Sequence, residues 1–392
     1  MHKKGKKIFF SFSVAAFFYA LYFTVLNWDS PWPQQFLTVD GNSYLKNALG
    51  ATWTTLFQLE DTYHSPGYSL YLRILFCMFG TIIRVVHVSK ILSLFMFAAS
   101  AILVYRLAHR WFQETTALLA LALFSICESW IYYCNMIQYE VLTGFILLVF
   151  LSVLAWDEET KLQKKSYLRS IFAGLLLATL VILQVRYIIL IPLPFLHSFI
   201  TRKKIRFAAL SLLTAFIPIF TLSILESIQH QQIIFLMTGT ALRFKIAYNA
   251  GALGYSFPYP PILEPTGIAF ILQMPKRFLW LFEQRFLYAT GIKQDMWMIT
   301  LNPLNSIGGI SYYNIIGLIL FFLGLGYLLF GIQKKIVPQG ALLLVFTTAA
   351  FFLPSLLFFG SERFLVPIMP LITVVQAYAM AKLITGTYRS AG

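Results

Sequence analysis

Charged residues are scarce in this sequence. They make up 11% of its 392 residues, whereas apolar residues make up 59%. A soluble domain carries about 25% charged residues, because charged side chains are needed to cover its surface. The scarcity therefore excludes an ordinary soluble globular protein and predicts a chain that is surrounded largely by lipid.

Cysteines and acidic residues are also few. The cysteines are Cys77, Cys127 and Cys134, an odd number without C-x-x-C spacing, so we expect neither a disulfide framework nor a cysteine-bound metal. The 15 acidic residues face 30 basic ones, which gives a net charge of +15. In a soluble protein this excess would point to nucleic acid. Here the basic residues lie between apolar stretches, which indicates membrane orientation and no nucleic-acid partner.

Apolar stretches recur along the whole chain. They lie near 8–26, 91–107, 116–134, 141–156, 171–185, 187–200, 207–225, 310–332, 336–358 and 364–384. Several are shorter than the ~20 residues that an untilted span requires. The pattern predicts an all-α, polytopic transmembrane helical bundle with about ten spans, built as a single integral membrane domain.

The basic residues favour one orientation of this bundle. A lysine cluster precedes the first span, and further basic clusters lie at 164–169, 202–206 and 334–335. When the spans alternate from a cytoplasmic N-terminus, most basic residues fall inside, as the positive-inside rule requires. We therefore expect a multi-pass protein of the plasma or inner membrane with both termini in the cytoplasm.

Two long segments, 27–90 and 226–309, then lie outside the membrane. Each contains an apolar stretch too short or too interrupted to span, at 67–79 and 268–289. The mixture of aromatic and basic residues in the second is typical of a helix lying in the membrane interface. We expect an interfacial helix in each outer segment.

The first outer segment contains an isolated acid in "FLTVDGNSYLKNALG". Asp40, Tyr44 and Ala48 are four residues apart, so they share one face if a short helix begins here. The local sequence allows two interpretations. Asp40 is either the N-cap of that helix or a functional carboxylate with Tyr44 beside it.

A second polar group follows in "EDTYHSPGY". Glu60, Asp61 and His64 could bind a divalent cation or act as acid and base. Their spacing is not diagnostic, and a solvated loop is the alternative. Glu140, where the fourth span begins, and Glu128, inside the third, are functional candidates because carboxylates at such places are costly. For Glu128 a structural hydrogen bond to a neighbouring helix is the alternative.

Two arginines fall at the outer boundary of the predicted membrane. Arg186 lies between two apolar stretches, and Arg363 opens the last one. A guanidinium group binds phosphate through two parallel hydrogen bonds, which suits both residues to a phosphate site. The alternative is that both are interfacial anchors.

The second outer segment contains "YNAGALGYSFPYPP", whose Gly, Asn and Pro content predicts an ordered, irregular loop. Tyr248, Asn249 and Tyr255 are candidate contacts for a sugar. A purely structural loop is the alternative. None of the GxGxxG, P-loop or HExxH motifs is present in the sequence.

The order of these features resembles the GT-C glycosyltransferases of the protein O-mannosyltransferase and lipid A aminoarabinose-transferase type. The features are an outer-loop Asp followed by Tyr, the segment "HSPGY", a carboxylate that opens the fourth span, an Arg before a Pro-rich span, and "SERFLVPIMPL". The resemblance covers 1–200 and 355–385, and it is weak over 226–309. It implies transfer of a sugar from a polyprenyl-monophosphate carrier to a lipid, glycan or protein acceptor on the outer face.

The resemblance also assigns roles to residues. It implies that Asp40 is the general base and Glu140 a second catalytic acid. His64 falls at a position that is acidic in many members, which leaves Glu60 and Asp61 as stand-ins. No cofactor is required, although a divalent cation is compatible with the site.

Further positions follow from the same resemblance. Arg186 and Arg363, with the neighbouring Glu362, match positions near the carrier phosphate. The sequence departs from the family in two ways. Gly41 follows Asp40 where many members have Glu, and no C-terminal soluble domain follows the last span. The resemblance therefore does not identify the acceptor. Burial at the membrane boundary is expected to raise the pKa of Asp40 and make it a better base. Tyr44 is expected to shape the acceptor cavity. Direct displacement of the carrier phosphate would invert the anomeric carbon.

Two other functions fit the composition. One is a glycan polymerase or ligase that uses a diphosphate-linked lipid, and the other is a transporter or flippase. A transporter would be expected to carry paired mid-span charges and helices broken at matching positions. The charges here collect at the outer boundary instead, which favours an enzyme.

Overall fold

The computed structural model describes residues 3–29, 39–60, 63–156, 163–200, 205–238, 240–254, 262–290, 292, 312–358 and 362–385. Every named element in these ranges is helical. Asp61 and Tyr255 lie outside the described residues, as does the side chain of Glu362. The interpretations of these three stay predictions.

The first half of the chain contains long helices and several short ones. They are α1 (Lys3–Leu26), α2 (Val39–Ala48), α3 (Pro66–Phe79), α4 (Ile82–Trp111), α5 (Glu114–Ser125), α6 (Glu128–Tyr133), α7 (Glu140–Trp156) and α8 (Gln163–Leu183). A 3₁₀ turn, Val185–Leu190, follows α8.

The described part of the second half contains four helices of 16 or more residues and a group of shorter ones. They are α9 (Leu193–Ile200), α10 (Arg206–His230), α11 (Thr240–Ala247), α12 (Gly267–Gln273), α13 (Pro275–Ala289), α14 (Tyr312–Gln333), α15 (Leu342–Leu357) and α16 (Met369–Thr385). Two 3₁₀ turns, Gln339–Ala341 and Glu362–Ile368, precede α15 and α16.

The predicted helical bundle is confirmed. Each predicted apolar stretch overlaps a described helix, and four helical segments, Ile82–Trp111, Arg206–His230, Ile315–Gln333 and Arg363–Thr385, are long and apolar enough to cross a membrane. The number of spans, the orientation and the assignment of 27–90 and 226–309 to the outer face stay predictions.

Among the stretches that we expected to be single helices, 187–200 and 364–384 begin as 3₁₀ turns, and two others are broken. The stretch 116–134 divides at Ile126 into α5 and α6, although neither proline nor glycine marks the break. The stretch 268–289 divides at Met274 into α12 and α13. The second break has a clear cause: Pro275 opens α13, since proline lacks the backbone N–H that a continuing helix would require.

The core is formed by helices that pack closely along the bundle. The helix α8 packs on α10, α4 packs on α5 and α7, and α16 packs on both α5 and α14. Gly174 lets α8 approach α10 so closely that a Cβ atom there would overlap the Ser211 carbonyl oxygen. Between helices in lipid the attraction comes chiefly from such close packing.

The short helices α2 and α3 run parallel and are tied together by polar contacts. Asn47 Nδ2 donates to Ser69 Oγ at 3.3 Å. Arg73 on α3 donates to the carbonyl of Asn47 at 2.6 Å and to that of Thr55 at 2.5 Å. The carbonyls at the end of α2 are thereby satisfied, and its first turn is held beside the residues that precede α3.

The close approach of α8 and α10 predicts that Gly174→Ala destabilises the protein by about 1–3 kcal/mol, because an added methyl overpacks the contact. Gly326→Ala on α14 is the matched control, since a Cβ there meets nothing within 4 Å. Thermal unfolding in detergent should show a lower Tm for the first variant and an unchanged or slightly higher Tm for the second, because Ala favours a helix over Gly. Equal Tm values for both would contradict the packing.

Candidate active site

Arg363 lies at the centre of a charged cluster. Its Nη1 donates to Asp40 Oδ2 at 2.9 Å and its Nε donates to Glu140 Oε1 at 2.6 Å. Its Nη2 donates to Gln138 Oε1 at 2.7 Å. One guanidinium group therefore joins two carboxylates that are far apart in the sequence, and Glu140 is fully buried.

The cluster forms where several helices begin or end. Asp40 lies in the first turn of α2, Glu140 is the first residue of α7, and Arg363 lies in the 3₁₀ turn before α16. That turn packs directly on α7, where Gly144 has no side chain to keep it away: a Cβ there would lie 2.7 Å from the Pro367 carbonyl oxygen. Trp130 fixes the same turn by donating to the Val366 carbonyl at 2.6 Å.

His64 binds the other side of Asp40. Its Nε2 lies 3.2 Å from Asp40 Oδ1, so both carboxylate oxygens of Asp40 are engaged outside its own helix. The ring of Tyr44 packs edge-on against His64, with ring centroids 5.4 Å apart. Tyr44 is buried on the same face of α2 as Ala48, as the four-residue spacing predicted.

Arg186 reaches the cluster through Tyr139. Its Nη2 donates to the Tyr139 hydroxyl at 3.0 Å and to the Tyr187 hydroxyl at 3.3 Å. The Arg363 guanidinium lies 5.6 Å from the centre of the same Tyr139 ring. The other face of the Arg186 guanidinium is covered by Phe364 at 4.3 Å.

The pKa of Asp40 differs from the expectation. Burial raises it, as predicted, but the nearby Arg363 and His64 lower it by more, so the pKa lies well below the usual range for Asp. The prediction of a raised pKa was wrong for this arrangement, because sequence alone did not show that Arg363 would contact Asp40. Burial also raises the pKa of Tyr44 well above its usual range, so that its hydroxyl stays neutral.

A divalent cation would compete with Arg363 in this cluster. The Arg363 guanidinium already stands between Asp40 and Glu140, so a metal would have to displace it before both carboxylates could act as ligands. Among the residues that the structure describes, no group of three or more His, Cys, Asp or Glu side chains is placed to hold a metal ion.

Other predicted site residues lie apart from the cluster. Glu60 is exposed. Asn249 is fully buried, and its side chain accepts from the backbone N–H groups of Gly251 and Leu263 and donates to two carbonyls of α11. Tyr248 is only 4% exposed, so its ring presents no free face on which a sugar could stack. Both residues are built into the loop, which is the structural alternative that the sequence left open.

Three residues of the cluster were missed by sequence reasoning. Gln138 and Tyr139 immediately precede Glu140, and Phe364 immediately follows Arg363. Their positions next to predicted site residues were the available signal. An amide and a phenol beside a carboxylate are too common in sequences to mark a site without the fold.

Comparison with known proteins gives a structural relationship without a sequence relationship. No protein-family model matches the chain, and no curated protein matches it significantly. Several solved structures are similar. The apo form of the oligosaccharyltransferase from Archaeoglobus fulgidus has 13% sequence identity and a TM-score of 0.58, with 96% of this chain and 50% of that chain covered.

A second structure is the archaeal oligosaccharyltransferase AglB from Archaeoglobus fulgidus in complex with an inhibitory peptide and a dolichol-phosphate, with 14% identity, a TM-score of 0.54, and 98% and 51% of the two chains covered. The helical fold of the chain resembles the GT-C fold of these oligosaccharyltransferases. It spans about half the length of these proteins. The GT-C fold expected from the motif order is confirmed, but no particular type of GT-C enzyme is.

The ion pairs predict an unusual pH dependence for Arg363→Gln. Removing the cation leaves the buried Glu140 carboxylate without a charged partner, which costs about 3–5 kcal/mol at neutral pH, whereas Asp40 keeps its contact with His64. In the native protein the depressed pKa of Asp40 supplies stability above the ordinary carboxyl pKa of ~3.9, and this stability is lost only as the pH falls towards the lower folded pKa. The variant should instead gain stability as the pH falls from 7 to 5, because the unpaired Glu140 carboxylate becomes protonated.

Thermal unfolding across this pH range tests the prediction. Arg277→Gln serves as the control, because Arg277 contacts the Trp280 ring and the Ala252 carbonyl and pairs with no carboxylate in those contacts. Parallel pH profiles for Arg363→Gln and the native protein would show that Arg363 does not neutralise the carboxylates.

Proposed function

We propose that this chain is a membrane glycosyltransferase. It moves a sugar from a polyprenyl-monophosphate carrier to an acceptor hydroxyl or lipid phosphate on the outer face of the membrane. The observation that carries the proposal is the Arg363 guanidinium bound to Asp40 and Glu140, with a second guanidinium, that of Arg186, hydrogen-bonded to the neighbouring Tyr139. The GT-C fold of the chain supports the same conclusion.

The two arginines are the binding site for the donor phosphate. Arg186 Nε is buried without a hydrogen-bond partner, so it has a donor available for a phosphate oxygen. Arg363 keeps a partly exposed side chain, which a ligand can approach. Charge-assisted hydrogen bonds from guanidinium groups are strong, and they stabilise the negative charge that the leaving phosphate acquires. The dolichol-phosphate bound to AglB supports a lipid-linked donor of this kind.

Asp40 is the general base, and donor binding controls its strength. Without a donor, Arg363 holds the pKa of Asp40 low, which makes the carboxylate a weak base. A phosphate that draws Arg363 away removes this effect, and burial then raises the pKa. The base is thus strengthened when the sugar carrier is in place. His64 keeps contact with the second carboxylate oxygen and orients the group.

The reaction is a direct displacement. The acceptor oxygen attacks the anomeric carbon and its proton passes to Asp40, while the bond between that carbon and the carrier phosphate breaks. The phosphate leaves with the electron pair and is stabilised by Arg186 and Arg363. Attack from the face opposite the phosphate inverts the anomeric centre. Glu140 holds Arg363 in place, and its buried Oε2 has no hydrogen-bond partner.

The base assignment predicts that Asp40→Asn lowers the rate of transfer by about 10²–10⁴-fold, because a positioned base contributes about that much. Protein in liposomes would be given a labelled pool of polyprenyl-phosphate sugars and an envelope lipid extract, and loss of label from the carrier would be followed. Asp29→Asn is the matched control, since Asp29 is an acid with a 94% exposed side chain. Full activity of the Asp40 variant would rule out the base assignment.

The phosphate assignment predicts weaker use of the donor by Arg186→Gln and by Arg363→Lys. A hydrogen bond to a charged group is worth about 1.5–3 kcal/mol, so the apparent KM for the carrier should rise by about 10–100-fold in each. Lys keeps the charge of Arg363 but loses its paired donors.

Arg243→Gln is the control for this experiment, because the Arg243 guanidinium lies over the Tyr63 ring at 4.9 Å, outside the cluster. Unchanged KM values for the carrier in both site variants would show that Arg186 and Arg363 do not bind the donor phosphate.

A further inference from the structure

A second arginine is buried next to the segment that leads to Arg363. Arg285 on α13 is fully buried. Its Nη1 donates to the Leu357 carbonyl at 2.7 Å and to the Leu356 carbonyl at 3.3 Å, and its Nη2 donates to the Ala247 carbonyl at 2.6 Å. One side chain therefore joins the end of α15, the end of α11 and its own helix.

Tyr248 completes this contact. The Arg285 guanidinium lies over its ring at 4.7 Å, and the Tyr248 hydroxyl also donates to the Leu357 carbonyl. The carbonyl groups in the last turn of a helix have no partner within that helix. Arg285 and Tyr248 provide these partners for α15, which gives Tyr248 a role other than the sugar contact expected from the sequence.

The chain that follows α15 is held by the same part of the protein. Phe358 directly after α15 and Phe364 directly after Arg363 both pack on one apolar cluster. The buried members of the cluster are Ile246, Ala247, Tyr248, Ala252, Phe270 and Leu281. The unit formed by α11–α13 thus contacts the chain on both sides of residues 359–361, and Phe364 also covers the Arg186 guanidinium.

We propose that Arg285 is a positioning residue for Arg363. Together with Tyr248 it fixes the end of α15, so that the following turn presents the Arg363 guanidinium to Asp40 and Glu140. The effect on sugar transfer rests on the proposed function, whereas the effect on the position of the turn does not.

Loss of this contact has a defined consequence. In Arg285→Met the carbonyls of Leu356 and Ala247 lose the Arg285 donor, and the Leu357 carbonyl keeps only the Tyr248 hydroxyl. Buried carbonyls without a donor are costly. The last turn of α15 then loosens, and the turn that contains Arg363 loses the support on which its geometry depends.

Amide hydrogen exchange in lipid nanodiscs tests the proposal without any substrate. Arg285→Met and the milder Tyr248→Phe should exchange faster than the native protein over 356–368, by about tenfold or more in the first variant, since local opening requires less free energy. Arg285→Lys should fall between Arg285→Met and the native protein, because Lys keeps the charge but cannot span all three carbonyls.

Arg277→Met is the matched control. Arg277 lies on the same helix and donates to the Ala252 carbonyl within the unit, without contact to α15 in that bond. It should leave exchange over 356–368 unchanged. If Arg285→Met unfolds the whole protein, the exchange rates of Tyr248→Phe over 356–368 test the proposal instead. Native exchange over 356–368 in a folded Tyr248→Phe and a folded Arg285→Met would overturn the proposal.

Kinetics separate positioning from a purely structural effect. When Arg363 moves away, Asp40 still contacts His64, and Tyr44, Tyr139 and Glu140 remain as its other titratable neighbours. The acid limb of the pH profile of kcat/KM, which reports the enzyme without donor, should therefore move to higher pH in Arg285→Met and stay in place in Arg277→Met. The KM for a polyprenyl-phosphate sugar should rise about tenfold. If the native protein transfers no sugar, the proposed function fails, and the exchange measurement alone decides the role of Arg285.

Discussion

The contact of one guanidinium group with two carboxylates is the constraint on which this structure depends. Charged groups buried near a membrane are costly unless they are paired and hydrogen-bonded. Arg363 meets this requirement for Asp40 and Glu140 at once, and Gln138 takes a further donor. The helices that carry these residues must therefore end at the same place, because a displacement of any one would leave a buried charge unpaired.

The surrounding packing serves that requirement. Gly144 and Trp130 let the turn with Arg363 lie directly on α7, and the parallel pair α2–α3 holds Asp40 beside His64. These contacts are needed because the turn that contains Arg363 lies outside any α-helix and lacks the regular α-helical hydrogen bonds that would otherwise fix it. Irregular backbone at such a place is tolerated only when protein covers it and satisfies its polar groups.

The helical fold was largely predictable, because apolar stretches must form helices to satisfy their backbone in lipid. The breaks between α5 and α6 and between α12 and α13 were not predicted. Asp40, His64, Glu140, Arg186 and Arg363 were candidates from their residue types, their positions at span ends and a family resemblance. Their mutual contacts could not be predicted from the sequence, since residues 40 and 363 are brought together only by the packing of the whole bundle.

The sequence by itself determined the class of protein, the positions of its main apolar helices and the small group of charged residues from which a site could be built. It did so because hydrophobicity and the cost of buried charge are local properties of residues. The tertiary structure decided which charges meet. It therefore decided the sign of the pKa shift of Asp40, since burial alone would raise that pKa and only the nearby Arg363 and His64 lower it.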